Sequence, residues 1–391
     1  MELRNFIFLR DVFILACTAF GGPQVHLSMF LKKLVNQRHY LSEDEFLEIT
    51  ALCNVLPGPS STQTITAIGY KQGGPLLALI TLLIWALPAS ILITLIVLGF
   101  TFFPVIDLGF TKFIIQMAIG FILAGAYTMG KTVVHDKLSI ILFFLAALVG
   151  VLFPTPYVYP LVIVIGAVAA NIFIKGYIFE PVEGVKIKWR YLVAFFSVLI
   201  IAAIVGKVSQ HRTVLLFENT YRFGSMVYGG GNVLVPLMYE QFVAFKHYMT
   251  PHEFSVGYGL VQALPGPIFT LGTYTFGMSM RDFGVWWQLA GCFLGMIAIF
   301  LPGALLIFFF YPIWQQVKRY PIFKKSVQGS NAVSTGLILS AAIILSRPIL
   351  EQGSLQIQSA ILITTTFLLV AFTKIPSPYI VIAAILLGFV Y

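Results

Sequence analysis

Long apolar runs separated by short polar interruptions make up this chain, and the run lengths set the predicted elements. Leu76 to Phe100, Phe113 to Met129, Tyr191 to Gly206 and Ile357 to Phe372 are near the roughly 17 to 25 residues that a helix needs to cross a hydrocarbon core. Spans are predicted at 75–99, 110–131, 139–153, 157–174, 191–208, 285–311, 326–346, 355–373 and 376–391. The N-terminal region differs. Its arms, near 11–20 and 24–35, flank Phe20-Gly21-Gly22-Pro23, and at about 10 to 14 residues each they are too short to span. Arg4 and Arg10 precede this tip and Lys32, Lys33 and Arg38 follow it, so both flanks read as cytoplasmic. A re-entrant helical hairpin satisfies both facts. The next segment repeats the logic: Ser42 with Glu45 three residues on is a capping-box start, the helix runs to Val55, Pro57-Gly58-Pro59 breaks it, and a second arm ends near Lys71.

The whole pattern occurs twice. Phe20-Gly21-Gly22-Pro23-Gln24 and Leu56-Pro57-Gly58-Pro59 recur as Tyr228-Gly229-Gly230-Gly231-Asn232 and Leu264-Pro265-Gly266-Pro267, each 208 positions on. Leu41 to Phe46 falls on Met249 to Phe254, and Gly69 on Gly277. A duplication is the simplest account, with a first repeat at 1–175, a basic cytoplasmic loop and linking span at 176–208, and a second repeat at 209–391. From one repeat start to the next the chain crosses an odd number of times if both hairpins span or if neither does, but not if one spans and its neighbour does not. The second repeat is therefore expected upside down. The expected fold class is an all-α polytopic membrane protein with an inverted-topology internal repeat and Gly/Pro-broken re-entrant helical hairpins.

Charge agrees with this topology. Lys131, Lys137, the loop from Lys175 to Arg190, and Lys318, Arg319, Lys324, Lys325 and Lys374 all fall inside, as the positive-inside bias requires. Arg212, Arg222, Lys246 and Arg281 run against it. Composition removes the soluble classes: 59% of residues are hydrophobic, 10% are charged and the mean hydropathy is +0.92, against roughly 25% charged in soluble domains. The net charge of +9 is dispersed over short loops, which excludes nucleic acid as a partner and leaves the lipid bilayer. Cys17, Cys53 and Cys292 are isolated within apolar sequence, so neither a disulfide framework nor a metal cluster is indicated. The first residues lack the short apolar core and small-residue cleavage site of a signal peptide.

Irregular backbone is tolerated at membrane depth only where it is buried in protein or lines a cavity, because an unmet N–H or C=O costs several kcal/mol in lipid. The four Gly/Pro tips are thus expected to converge near the midplane, where restarting helices point free amides at an anion. The candidate substrate-binding set from the first half is Gly21, Gly22, Pro23, Gln24, His26, Asn54, Pro57, Gly58, Pro59, Ser60, Ser61, Thr62 and Gln63. From the second half it is Gly230, Gly231, Asn232, Gln262, Pro265, Gly266, Pro267 and Thr270. Many neutral donors suit a tetrahedral oxyanion. Gln24 pairs with Asn232 and Asn54 with Gln262, but Ser60 and Ser61 become Ile268 and Phe269, so the first half is expected to supply most direct ligands. Each feature alone also has a packing reading: a proline kink, interhelical amide bonding at Asn54 and Gln262, or a packed ring at His26, which meets Leu234 in the repeat. Among the few acids in apolar sequence, Asp11, Glu48, Asp107 and Glu240, the proton-coupling candidates are Glu48 and Glu240. Arg10 and Arg222, each preceding a glycine tip, could neutralise a dianion, with snorkelling as the alternative. No His-Glu-x-x-His, Gly-x-Ser-x-Gly or Cys cluster is present, so neither an enzyme nor a cofactor is expected.

At Phe20-Gly21-Gly22-Pro23 with His26, Leu56-Pro57-Gly58-Pro59 with Ser61-Thr62-Gln63, Tyr228-Gly229-Gly230-Gly231-Asn232 with Pro236-Leu237, and Leu264-Pro265-Gly266-Pro267, the sequence closely resembles the chromate ion transporter family over nearly its whole length. The resemblance implies an inner-membrane, multi-pass, gradient-driven carrier that exports chromate, a mimic of sulfate, and confers resistance. Two homologous halves in opposite orientation are also implied. A carrier for sulfate or oxyanion uptake and an anion channel are the alternatives, and a homodimer is left open.

Overall fold

A chain with so few polar side chains must satisfy its backbone internally, and helices do so within one segment. The computed structural model describes residues 3–20, 22–102, 113–155, 158–174, 187–227, 231–314, 321–351, 356–373 and 375–390, and among them there is no strand. Gly21, Tyr228, Gly229, Gly230, Asp107, the loop residues 175–186, Lys318, Arg319 and Lys374 lie outside the described residues.

The first half opens with α1 (Leu3–Thr18), α2 (Pro23–Phe30) and a π-helical turn (Leu31–Gln37), then α3 (Glu43–Val55) and α4 (Ser60–Phe102). Helix α4 is two helices in series, because Gly73 (φ −159°, ψ 26°) and Gly74 (φ 74°, ψ −165°) leave helical geometry. The predicted hairpin arm and span, separated near Lys71, correspond to these two pieces. Helices α5 (Ile114–Val133), α6 (Lys137–Leu152), α7 (Val158–Phe173) and α8 (Arg190–Ser209) follow. Next come α9 (Arg212–Met226), α10 (Gly231–Tyr239) with a second π-helical turn (Glu240–Phe245), α11 (Pro251–Ala263), α12 (Leu271–Ser279) and α13 (Val285–Phe310). Helices α14 (Pro321–Glu351), α15 (Gln356–Phe372) and α16 (Ser377–Val390) end the chain.

Local irregularities recur at the same 208-residue interval. Ser42 caps α3 in a box with Glu45, and Thr250 caps α11 in a box with Glu253. His39 and His247, each shortly after a π-helical turn, both hold φ 51°. Every predicted span is met by a helix, and the helices of Ser60–Phe102, Ile114–Lys131, Arg190–Ser209, Val285–Ile313 and Lys325–Arg347 are long and apolar enough to cross a membrane. Others are shorter than predicted, α7 with 16 residues and α16 with 14, while α6 has 16, close to the predicted 139–153; at 1.5 Å per residue these lengths give only about 21 to 24 Å. Helices this short meet a bilayer by thinning it or by snorkelling at their ends.

The chain forms two compact units, each drawn from both halves of the sequence. The first unit comprises Met1–Thr101, Gly176–Gly230 and Pro265–Lys324. Within it α13 packs on α9 and α12, and small residues permit the approach: a Cβ on Gly295 would stand 2.7 Å from the Gly272 carbonyl. Lipid tails are as apolar as leucine, so close packing of this kind, rather than water exclusion, holds membrane helices together. Ile200, Ile201 and Ile204 of α8 stay exposed, as a lipid-facing helix surface does. The second unit comprises Phe102–Lys175, Gly231–Leu264 and Lys325–Tyr391. There α5 packs on α15, and Gly120 faces Thr366 with no room for a Cβ.

Candidate functional site

The first unit holds the two Pro-Gly-Pro turns. Leu56 (φ −84°, ψ 147°) and Leu264 (φ −87°, ψ 151°) leave α3 and α11 in extended backbone, and Gly58 and Gly266 then adopt φ of 122° and 115°. Only glycine holds such angles without strain. The Gly58 amide donates to the Val227 carbonyl (2.7 Å), and the Gly266 amide donates to the Ala19 carbonyl (2.8 Å). Ala19 and Val227 follow the ends of α1 and α9 and are themselves 208 positions apart. Each turn is thus tied to a helix end from the other half of the chain, which satisfies amides and carbonyls that lipid could not.

Three helices restart at these breaks. The first bond of α2 runs from the His26 amide to the Gly22 carbonyl (3.1 Å), and that of α4 from Gln63 to Pro59 (2.8 Å). In the short turn Ile268–Thr270 that leads into α12, the Thr270 amide donates to Pro267 (3.0 Å). The amides of Gln24 and Val25, of Ser60, Ser61 and Thr62, and of Ile268 and Phe269 precede these bonds, so they have no intrahelical partner. None finds another partner among the described residues. The starts also lie side by side: His26 Nδ1 is 3.2 Å from Ser61 Oγ, and a Cβ on Gly22 would be 4.0 Å from the Ile268 side chain. Helix starts so gathered present free N–H groups and positive dipole ends to one place.

The side chains around them are polar and buried. Ser61, Thr62, Gln63 and Thr64 are all enclosed, whereas Ser60 is half-buried with its hydroxyl unbonded among the described residues. His26 is fully buried, its ring edge-on to Trp85 at 5.2 Å. Its Nε2 closes no hydrogen bond of good geometry, with the Ala19 carbonyl the backbone acceptor within reach. The Trp85 indole donates to Thr62 Oγ1 (3.1 Å). Gln63 turns back so that Nε2 donates to the Pro57 carbonyl (2.8 Å), which engages one of its two N–H bonds. Thr270 likewise donates to its own turn, at the Pro267 carbonyl (2.9 Å).

Other sequence candidates are placed elsewhere. Asn54 is exposed on α3, and Glu48 on the same helix is half-buried. Gly231, Asn232 and Gln262 belong to the second unit, where Gly231 opens α10 and Gln262 donates to the Tyr258 hydroxyl (2.7 Å). Glu240 is buried in that unit. Gly21 and Gly230 lie outside the described residues. Of the two arginines considered for a dianion, Arg10 is exposed beside Asp11 (4.0 Å), and Arg222 is paired with Glu218 (3.2 Å) and donates to Asn219 (2.5 Å).

Two participants were not singled out in the sequence. Trp85 orients both His26 and Thr62, and its signal was an indole N–H inside an apolar run, where it needs an acceptor. Gly303 of α13 faces Pro59 and Gln63, where a Cβ would lie 3.4 to 3.5 Å from them. Nothing in the sequence distinguishes Gly303 from a packing glycine.

Comparison with known proteins follows the same outline. The model of a family described as chromate transporter matches residues 6–172 and 214–389. The chain is similar to a probable chromate transport protein of Synechococcus elongatus, 24% identical over 383 residues that cover 96% of this chain and 93% of that protein. It is also similar to a chromate transport protein of Cupriavidus metallidurans, 24% identical over 388 residues, covering 96% and 90%. An uncharacterized transporter of Methanocaldococcus jannaschii is 23% identical over 409 residues, covering 100% and 96%. No solved structure matches the chain.

Proposed function

The chain belongs to the chromate transporter family, and from that premise we propose that it is a secondary active carrier that exports chromate across the inner membrane and so confers chromate resistance. The observation that supports this reading best is the gathering of three helix starts with unpaired amides around Ser60, Ser61 and His26. Such a place suits a tetrahedral oxyanion, because amide and hydroxyl donors can be directed at several oxygens at once while the helix dipoles favour negative charge. In this reading the direct ligands are the first-turn amides with Ser60 and Ser61, and Gly22, Gly58 and Gly266 allow the backbone to come close. The two repeats act as inverted halves that rock about the broken helices, exposing the site alternately to either side. The recurrence of capping boxes, π-helical turns and positive-φ residues at one interval supports two halves of common origin.

Neutral donors read charge and shape, which chromate and sulfate share, so sulfate uptake is the competing reading. The test is uptake of labelled chromate into vesicles holding the purified protein, with sulfate as competitor and an imposed pH gradient. Saturable, gradient-dependent uptake that sulfate blocks is expected, and Ser60→Ala, Ser61→Ala and Gln63→Ala are each expected to lower it while folded protein remains. Normal transport by all three variants would remove this ligand set. Sulfate uptake without chromate uptake would reassign the substrate, and unsaturable conductance would favour a channel.

A further inference from the structure

The second unit carries a buried acid that the oxyanion site does not use. Glu240 opens the π-helical turn after α10; it is 2% exposed, and its Oε2 makes no hydrogen bond among the described residues. Tyr159 of α7 is fully buried, and its hydroxyl closes no hydrogen bond of good geometry among the described residues, with the Ser340 hydroxyl of α14 within reach and the Glu240 charge bearing on it. Both line a crevice too narrow to hold a water, whose other walls are Pro236, Tyr239, Ala341, Ile344 and Leu345. From α14, Arg347 bears on Glu240 electrostatically, yet its guanidinium donates to the Val151 carbonyl (3.2 Å). On the acid's own helix the titratable neighbour is Tyr239, whose ring packs on Phe254 of α11 (5.5 Å). Helix α5 also meets α10, and its titratable pair is self-engaged, with Lys131 over the Tyr127 ring at 5.4 Å.

We propose that Glu240 and Tyr159 form a proton-binding site, and, resting on the carrier reading above, that this site couples transport to the proton gradient. Hydrogen-bond accounting supports it. An ionised carboxylate only accepts, and here one of its oxygens finds no donor among the described residues; one added proton turns it into an O–H donor within the crevice it shares with the Tyr159 phenol, whose oxygen can accept. Arg347 is the counter-charge at hand when the proton leaves. A carboxylate at such depth is expensive to keep without a role. It is also specific to the second half, since the position 208 residues earlier is Lys32, exposed in the first π-helical turn. A polar remnant of the duplication would be matched; this acid is not.

Infrared spectra of the purified full-length protein, recorded without substrate across a pH series, test the site directly. A protonated-carboxyl stretch that titrates in the wild type, disappears in Glu240→Gln and shifts in frequency in Tyr159→Phe is expected. The same band in Glu240→Gln would overturn the proposal. Should that variant fail to fold, an unshifted band in Tyr159→Phe would do so instead. In vesicles, Glu240→Gln is expected to lose chromate accumulation driven by a pH gradient but to keep chromate-for-chromate exchange, and wild-type accumulation by the variant would refute the coupling role. A wild-type protein that moves no oxyanion would refute the carrier reading, while the infrared result would still decide whether Glu240 binds a proton.

Discussion

At the turn of the first half, Gly58 holds φ 122° and is followed by Ser60, Ser61 and Thr62; at the turn of the second, Gly266 holds φ 115° and is followed by Ile268, Phe269 and Thr270. Both glycine amides are bonded to a helix end from the opposite half. The backbone is the same because the demand is the same: an interrupted helix at membrane depth must meet its freed groups inside the protein. The side chains were under no such demand. In the first turn Ser61 reaches His26, whereas in the second Ile268 lies toward Gly22 as an apolar cover. The turn geometry occurs twice and the pair of serines after it once.

The largest expected effect comes from making the two glycines ordinary. A non-glycine residue in this backbone region costs about 1 to 3 kcal/mol, and the neighbours then separate the two turns. A Cβ at Gly266 would stand 2.8 Å from the Ala89 Cβ, which cannot retreat, whereas at Gly58 it would stand 2.9 Å from the end of Gln63, which can swing away. Gly266→Ala should therefore lower the thermal unfolding midpoint more than Gly58→Ala, and equal midpoints would break the comparison. Next in size is Ser61→Ala, which leaves His26 Nδ1 buried without its partner at about 1 to 3 kcal/mol. Ile268→Ser, the reciprocal change, should bring no gain in chromate uptake; a gain would show the two turns to be interchangeable.

The smallest effect sharpens a difference at the capping boxes. Glu45 is paired with Lys71, while the position matching Lys71 in the second half is Ser279. At the exposed start of α3, outside the spanning segments, the Lys71 ammonium first and the Ser42 amide second hold the Glu45 carboxyl below the usual carboxylate range. Its contribution is therefore full above the ordinary carboxylate pKa and is lost as pH falls through the lowered one. Glu45→Gln should flatten the acid limb of a stability profile by no more than about 1 kcal/mol, as for other exposed pairs. A larger change would mean that the pair is shielded from water.

Much of the fold was legible because it depends on local rules. Gly73 and Gly74 divide α4 where the hairpin arm was expected to end, and Ser42 with Glu45 forms the capping box that its spacing announced. The π-helical turns were not legible, since a shift from i+4 to i+5 bonding leaves no mark in a hydrophobic pattern. Nor did apolar runs reveal that α7 stops at 16 residues. At the candidate site the sequence supplied Ser61 and His26 but could not choose between ligand and packing for the histidine, because its partner is 35 residues away. The acceptors for Gly58 and Gly266 were still less accessible, since a carbonyl has no sequence signature and these two lie in the opposite half.

The crossed bonds also set an order of maturation. A ribosome delivers Gly58 about 170 residues before Val227, and Ala19 about 250 before Gly266, an interval of roughly 10 to 50 s at common synthesis rates. For that time the Gly58 amide and the Ala19 carbonyl are without the partners they hold in the finished protein, and lipid offers no substitute. The first pair of tips cannot settle at depth until the second pair is made. Both turns thus reach their final hydrogen bonding only after the second Pro-Gly-Pro has been made, and a nascent chain interrupted before it would leave Ala19 without its partner.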